Sequence, residues 1–366
     1  MSSDFTSSPL FQRVERARRR KAKIKDSQIT LAHGSGGRAM HELIEGLFLE
    51  YFRNPLLERL EDQAVFEIPA GGRLAFTTDS YVVSPIFFPG GDIGRLAVSG
   101  TVNDLAMSGG RPLYLSAGFI LEEGFPIDEL RRILESMRRA AEEAQIQIVT
   151  GDTKVVQKGG ADRIFINTSG IGVIEHTAQI STTRAEPGDQ VILSGTLGDH
   201  GTTIMVARGE LELEAELESD VAPLNSLVQE MFDEAARIAG ADAIRCLRDP
   251  TRGGLATTLN EIAWASERYI QIVEEKIPVR EEVKGACEIL GLDPLYVANE
   301  GKLVAIVSRE IAEPLVSRMK DHPYGRAACI IGEVKPAPQG IVSLATGFGG
   351  TRIVEMLTGE QLPRIC

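Results

Sequence analysis

Apolar positions begin to recur near Ile29, and from there helix-like and strand-like periods alternate along most of the chain. The spacing predicts a helix from Arg38 to Phe52 and a strand from Arg73 to Thr78 that stops at Asp79. A helix with Asp92 as N-cap follows, running to Ser108 and ended by Gly109-Gly110. Pro112 to Leu121 alternates like a strand, and Pro126 opens a helix from Ile127 to Ala144. Gln145 to Thr150 reads as a strand leading into Gly151-Asp152, and Ile164 to Glu175 as strand broken by Gly170 and Gly172.

Turn residues crowd the segment from Ser181 to Asp189, which divides two blocks of mixed strands and helices. The second block is predicted to hold strands at Gln190 to Leu193, Ile270 to Val273, Gly301 to Ser308 and Ala328 to Val334. Its helices are expected at Gly201 to Arg208, Pro223 to Ala239, Gly253 to Ser266, Arg280 to Leu290 and Ile311 to Lys320. The expected fold class is therefore α/β (α+β) in two domains, 29–180 and 181–338, with a leader at 1–28 and a loosely tied carboxy-terminal region at 339–366.

A composition of 43% hydrophobic and 25% charged residues is that of a globular protein. A net charge of −13 argues against general nucleic-acid binding, which needs clustered Lys and Arg. The one basic block, Arg13 to Lys25, reads as a solvated extension or a docking arm and is given no chemistry. With no apolar run of membrane length and no signal-peptide core, a cytoplasmic location is expected. Cys246, Cys287, Cys329 and Cys366 form no Cys-x-x-Cys pair, so reduced thiols are expected rather than a zinc site. The first three sit in apolar surroundings, whereas Cys366 is the last residue, behind glycines 347, 349 and 350. Extended, the stretch beyond Phe348 would span roughly 60 Å, enough to carry the thiol to a distant site.

Candidate chemistry gathers at a few loops. His33-Gly34-Ser35-Gly36-Gly37 ahead of a helix is either a phosphate cradle or a plain turn. Asp79, Asp104 and Asp152 each lie near an element end, and they fit either magnesium ligands or solvated turn carboxylates. Asp104 stands out, because a carboxylate in a helix's last turn meets the negative end of the dipole. Asn103 and Lys154 flank the set as a hydrogen-bonder and a phosphate-neutralising cation. Gly198-Asp199-His200-Gly201 and Asp249-Pro250-Thr251-Arg252-Gly253-Gly254 open helices that offer N–H groups to anions or are simply capped. Glu300, in Asn299-Glu300-Gly301-Lys302, is the candidate general base unless it only pairs with Lys302.

Together with Leu31-Ala32 before the first loop, Thr77-Thr78-Asp79-Ser80, Val102 to Gly110, Gly151-Asp152-Thr153-Lys154 and the closing Pro363-Arg364-Ile365-Cys366, these segments resemble the HypE family of hydrogenase maturation factors. The resemblance covers residues 29–366. It implies a fold like that of aminoimidazole ribonucleotide synthetase (PurM-like), ATP bound between the domains, and a homodimer formed through the amino-terminal strands. It further implies that the carbamoyltransferase HypF places a carboxamide on Cys366. ATP-dependent dehydration would turn this into a thiocyanate, and the cyanide would pass to iron on a HypC–HypD complex for the Fe(CN)₂CO centre of [NiFe]-hydrogenases. By motif position, Mg²⁺ would sit on Asp79, Asp104 and Asp152. His33, Gly34, Gly36, Gly37, Asn103, Gly151, Asp152, Gly198, His200, Gly201, Arg252 and Gly253 would contact ATP, with Lys154 and Glu300 acting beside Cys366. Selenophosphate synthetase would need an amino-terminal cysteine, and none precedes Cys246. A thiamine-monophosphate kinase or the purine synthetase itself would share the aspartates and ATP but leaves the terminal thiol unexplained. A non-catalytic scaffold whose tail docks a partner, with Cys366 merely exposed, is the alternative of a different class, and absence of ATP turnover in the carbamoylated protein would favour it.

Overall fold

The computed structural model describes residues 30–52, 54–68, 72–209, 217–359 and 364–366; the basic leader and Pro363 lie outside them. A helical run opens the described chain: α1 (Arg38–Leu43) continues through a π turn, Ile44–Phe48, into Leu49–Phe52. The first sheet then forms from β1 (Ala64–Glu67), β2 (Arg73–Tyr81), β5 (Arg111–Glu122), β6 (Gln147–Val156) and β7 (Ile164–Ile174), in the order β1-β2-β7-β5-β6. The short pair β3 (Phe87–Phe88) and β4 (Gly91–Asp92) leads into α2 (Ile93–Met107). Asp92 caps α2 as the sequence suggests, accepting from Gly94 N and Arg95 N at 2.7 and 3.0 Å. Between β5 and β6, the only parallel pair of this sheet, runs α3 (Ile127–Glu143).

Inner positions of β2 and β7, such as Ala75, Thr77, Ile166 and Thr168, are buried on the face that α2 covers. The opposite face carries exposed Phe76, Tyr114, Ile120 and Ile171. Helix α2 is buried nearly all round, because its far side meets the second unit. A helix apolar on every side needs that double covering.

The second sheet contains β8 (Gln190–Leu193), β9 (Ile244–Arg248), β10 (Tyr269–Val273), β11 (Val304–Val307), β12 (Cys329–Lys335), β13 (Ile341–Ala345) and β14 (Thr351–Val354), in the order β14-β13-β10-β12-β8-β11-β9. Helices α4 (Asp199–Ala207), α5 (Asn225–Ile238), α6 (Gly254–Ser266), α7 (Glu281–Leu290) and α8 (Arg309–Asp321) complete the unit. In this second sheet, among the described residues, only β10 and β13 pair in parallel. The carboxy-terminal region is not loosely tied as its glycines suggest: 341–354 forms a hairpin whose first strand buries Ile341, Val342 and Leu344.

Two strands run further than expected. β2 continues through Asp79 to Tyr81, and β6 through Gly151 and Lys154 to Val156. Both aspartates therefore sit within strands, where the pleat decides which face each side chain takes.

Candidate active site between the two units

Asp79 shares the inner face of β2 with Thr77 and Tyr81, and Asp104 reaches toward it from the last turn of α2, with Asp104 Oδ2 2.9 Å from Thr77 Oγ1. Asp62 and Asp249 come close enough to act on Asp104 electrostatically. Burial, then repulsion from Asp249, Asp79 and Asp62, pushes the Asp104 carboxyl well above its usual range. Asp249 is pushed up to about 6, chiefly by burial. Such a cluster favours a cation. Opposite it stands Arg252, held charged by the terminal Cys366 first and then, against the cost of burial, by Asp79 and Glu300.

Glu300 is buried, and its Oε1 meets no hydrogen-bond donor among the described residues. Burial first, and then Asp249, Asp79 and Asp220, raise its pKa well above normal against the pull of Arg252. Lys302 does not neutralise it. That lysine pairs with Asp220 Oδ2 at 3.1 Å, while Asp220 Oδ1 accepts from the backbone N of Glu300 at 3.0 Å.

The end of the chain lies in this chamber. Val82 N donates to Cys366 O at 3.0 Å, Ser84 N to Arg364 O at 3.2 Å, and His200 Nε2 to Ile365 O at 2.7 Å. Arg364 reaches Val82 O at 3.2 Å and pairs with Asp162. Ile365 is buried in the first core, worth about 1.5–3 kcal/mol for a side chain of its size. Burial raises the pKa of the Cys366 thiol, Arg252 pulls it down, and Glu300 and Asp79 push it up, with a net rise. Burial in this seat therefore disfavours the thiolate, the form that captures electrophiles.

Several sequence candidates do other work. Asn103 is no phosphate ligand: its amide donates to Ala222 O and Glu300 O and accepts from Leu224 N, stitching α2 to the second unit. The N–H groups of Gly198 and Gly201 are taken by Asn299 Oδ1 and Ala298 O at 2.8 and 3.1 Å, so that helix start offers neither to an anion. His200 is buried, with Nδ1 2.7 Å from Ser219 Oγ as well as its bond to the tail, which leaves no ring nitrogen for phosphate. His33 Nδ1 is engaged locally by Thr30 N at 3.1 Å.

Asp152 and Lys154 are separated from Asp79 altogether. Asp79 pairs in register with Thr168, Thr168 with Ala117, and Ala117 with Gly151, so three inter-strand spacings, about 14 Å, intervene. Asp152 and Lys154 also project to the opposite, uncovered face, where they pair with each other at 3.1 Å. One chain therefore cannot bring Asp79, Asp104 and Asp152 to one ion, and no group of three or more His, Cys, Asp or Glu arranged for a metal occurs among the described residues. Gly151 lies on the inner side of that strand, where a Cβ would stand 2.2 Å from Ala117 O.

The glycine loop lies over the chamber, closing the turn Leu31–Gly34 and packing on Arg252. A Cβ on Gly36, whose φ is +75°, would lie 2.6 Å from Arg252 O, and one on Gly37 would lie 2.4 Å from Leu357 O. Gly253 (φ +78°) faces Gly36 across this contact. Beneath the loop is a cavity of about 330 Å³ lined by Gly36, Met40, Leu57, Asp62, Asp249 and Arg252. Arg248 braces its wall with ion pairs to Asp62 at 2.9 Å and Glu261 at 2.5 Å. The sequence reading missed Asp62, Arg248 and Asp249. Asp249 stood in a quoted motif but looked like a helix opener, and Glu61-Asp62 carries no pattern at all.

Residues 60–174 match the family of AIR synthase related proteins, N-terminal domain, and residues 186–345 the corresponding C-terminal domain. A carbamoyl dehydratase HypE of Azotobacter vinelandii is 55% identical over 343 residues, covering 94% of this chain and 98% of that protein. The solved structure of hydrogenase maturation protein HypE in complex with ATP matches with a TM-score of 0.77 at 52% identity, over 93% of this chain and 100% of that one. A HypE chain from a HypE–HypF complex matches with a TM-score of 0.80 at 51% identity, over 86% and 99%.

Proposed function

The chain belongs to the HypE family of carbamoyl dehydratases, on the two-domain AIR synthase-related fold, and we propose that its chamber dehydrates an S-carboxamide borne by its own Cys366. The observation that carries this reading is the seating of the terminal thiol beside Arg252, Glu300 and Asp79. The carboxamide oxygen attacks the γ-phosphorus of ATP, forming a C–O–P bond as the bond to ADP breaks. Cleavage of the C–O bond with loss of both nitrogen protons then leaves S–C≡N, the carboxamide oxygen departing in phosphate and the protons passing to phosphate and base. Glu300, with its unsatisfied Oε1, is the acceptor for a nitrogen proton. Arg252 fixes charge opposite the developing anion.

ATP is the nucleotide, as in the ATP-bound relative, and the cavity under Gly36 is its proposed seat. The half-buried, mutually repelling carboxylates of Asp79 and Asp104 fit Mg²⁺, which usually takes one or two carboxylates and keeps waters. Asp79 and Asp104 would hold it, and it would supply positive charge to the phosphates. Gly34, Gly37 and Gly253 shape the loop rather than touch the reacting atoms.

Lys154 and Asp152 act in this scheme only across a homodimer. The uncovered apolar face of the first sheet, with Phe76, Tyr114, Ile120 and Ile171, is its natural contact, and Tyr114→Glu would give a monomer in sedimentation. HypF is the proposed donor of the carboxamide, as a relative's complex with it suggests, and a HypC–HypD complex the acceptor of cyanide. No helix among the described residues is long and apolar enough to cross a membrane, in keeping with work in the cytoplasm.

The test is intact mass. Incubation with HypF, carbamoyl phosphate and ATP adds one carboxamide to the carboxy-terminal peptide and then removes one water, and Cys366→Ala abolishes both changes. A carboxamide that forms and persists in the unsubstituted chain with ATP present would sink the dehydration step.

A further inference from the structure

Three carbonyls at the end of the tail are hydrogen-bonded, and their donors divide between the two units. Val82 N and Ser84 N of the first unit hold Cys366 O and Arg364 O through main chain, which any sequence would supply. The second unit instead uses side chains from the two ends of one helix. His200, in the first turn of α4, meets Ile365 O at 2.7 Å, and Arg208, at its C-cap, reaches Arg364 O as well as Ser84 O at 2.6 Å.

The imidazole is built for a single arrangement. It is buried, packs edge-on to Phe88 with ring centroids 5.6 Å apart, and burial lowers its proton affinity. A carbonyl cannot donate, so Nε2 carries the hydrogen and Nδ1 accepts from the Ser219 hydroxyl at 2.7 Å. Ser219 Oγ in turn accepts from Val221 N at 3.2 Å. Helix α4 is itself anchored by Gly198 N on Asn299 Oδ1 and Gly201 N on Ala298 O. Residues 298–299 directly precede Glu300, so the grip on the tail and the candidate base share one frame.

We propose that His200 and Arg208 are positioning residues: α4 clamps the main chain of the tail at residues 364 and 365 and so fixes where the sulfur of Cys366 stands relative to Glu300. The ligand class is a carboxy-terminal peptide read through its carbonyls. The proposal rests on the reading of Cys366 as the carrier, yet its first test needs no carbamoyl chemistry, so the two fail separately.

In the full-length chain, the rate at which iodoacetamide labels Cys366 is followed by mass of the carboxy-terminal peptide, with buried Cys246 as the internal control for unfolding. His200→Leu raises that rate about tenfold, the factor expected for one hydrogen bond in a docking equilibrium. Arg208→Gln and Ser219→Ala raise it less, and His200→Gln, whose amide can still donate, restores part of the protection. The pre-carbamoylated His200→Leu chain dehydrates more slowly in a single turnover, while ATP affinity stays within about twofold, since the ring faces the tail rather than the nucleotide. Labelling of Cys366 at the unsubstituted rate in His200→Leu, or a loss of ATP affinity that tracks the slower turnover, overturns the proposal. Should His200→Leu expose Cys246, Arg208→Gln and Ser219→Ala decide by the same readout, and unchanged protection in both overturns it.

Discussion

The chamber and the outer face of the first sheet contain the same kinds of residue and treat them in opposite ways. On the outer face Asp152 sits in solvent next to Lys154, whose hydrogen bond and charge hold its carboxyl below the usual range. In the chamber, Asp249 and Glu300 are buried and Asp79 and Asp104 half-buried, and all four carboxyls are pushed up, burial being the first cause of each. The outer pair is electrostatically satisfied in one chain, whereas the inner group is not until something positive joins it. The difference teaches that burial, not residue type, makes one aspartate a ligand in waiting and another a surface ion pair.

Removing the unsatisfied inner carboxyl attacks this contrast most strongly. Glu300→Gln is expected to lower the single-turnover rate of dehydration by about 10²–10⁴-fold with ATP still bound. Full activity in that variant would return Glu300 to a structural role. Next in size is the wall of the chamber: Arg248→Met strands Glu261 and Asp62 without their cation and should cost about 3–5 kcal/mol in denaturant unfolding. Substituting Arg111, whose partner Glu175 lies fully exposed, should leave the midpoint unmoved.

A subtler experiment asks whether the outer face serves another chain. Mixed after dissociation and reassociation, Lys154→Ala and Glu300→Gln chains should recover turnover that neither has alone, and no recovery would confine Lys154 to its own surface. The smallest effect is on pH. Asp249 carries a folded-state pKa of about 6 against an ordinary 3.8, so its ionisation costs stability progressively as pH rises across that window and costs nothing below it. Magnesium with ATP should therefore raise the melting midpoint more at pH 7.5 than at pH 5. Equal shifts at both values would show that the cluster does not meet the cation.

Most elements were legible because their local signals agree with their packing. Asp92 caps α2, and Gly109 (φ +70°) follows its end, both for reasons written within a few residues. The hairpin at 341–354 was not legible, since its pairing partner β10 lies far away in sequence and its glycines occupy the turn. Asp79, Asp104, Glu300, Arg252 and Cys366 stand in separate motifs of the sequence, and the fold brings them within electrostatic reach of one another. Asp152 groups with Asp79 and Asp104 in the sequence because Thr150 reads as a strand end, whereas β6 runs on and, within one chain, the pleat sends Asp152 to the other face. His200 and Asn103 looked like ligand donors because a sequence lists polar groups without saying which backbone atoms already claim them.

Ile365 and Cys366 belong to the same chain that folds the pocket around them, so the proposed chemical step is intramolecular. Donor and acceptor meet at a local concentration set by chain geometry rather than by expression level. Diluting the protein a hundredfold should thus leave the half-time of the chemical step unchanged so long as the assembly persists, and each chain must be reloaded by an outside enzyme before it can react again.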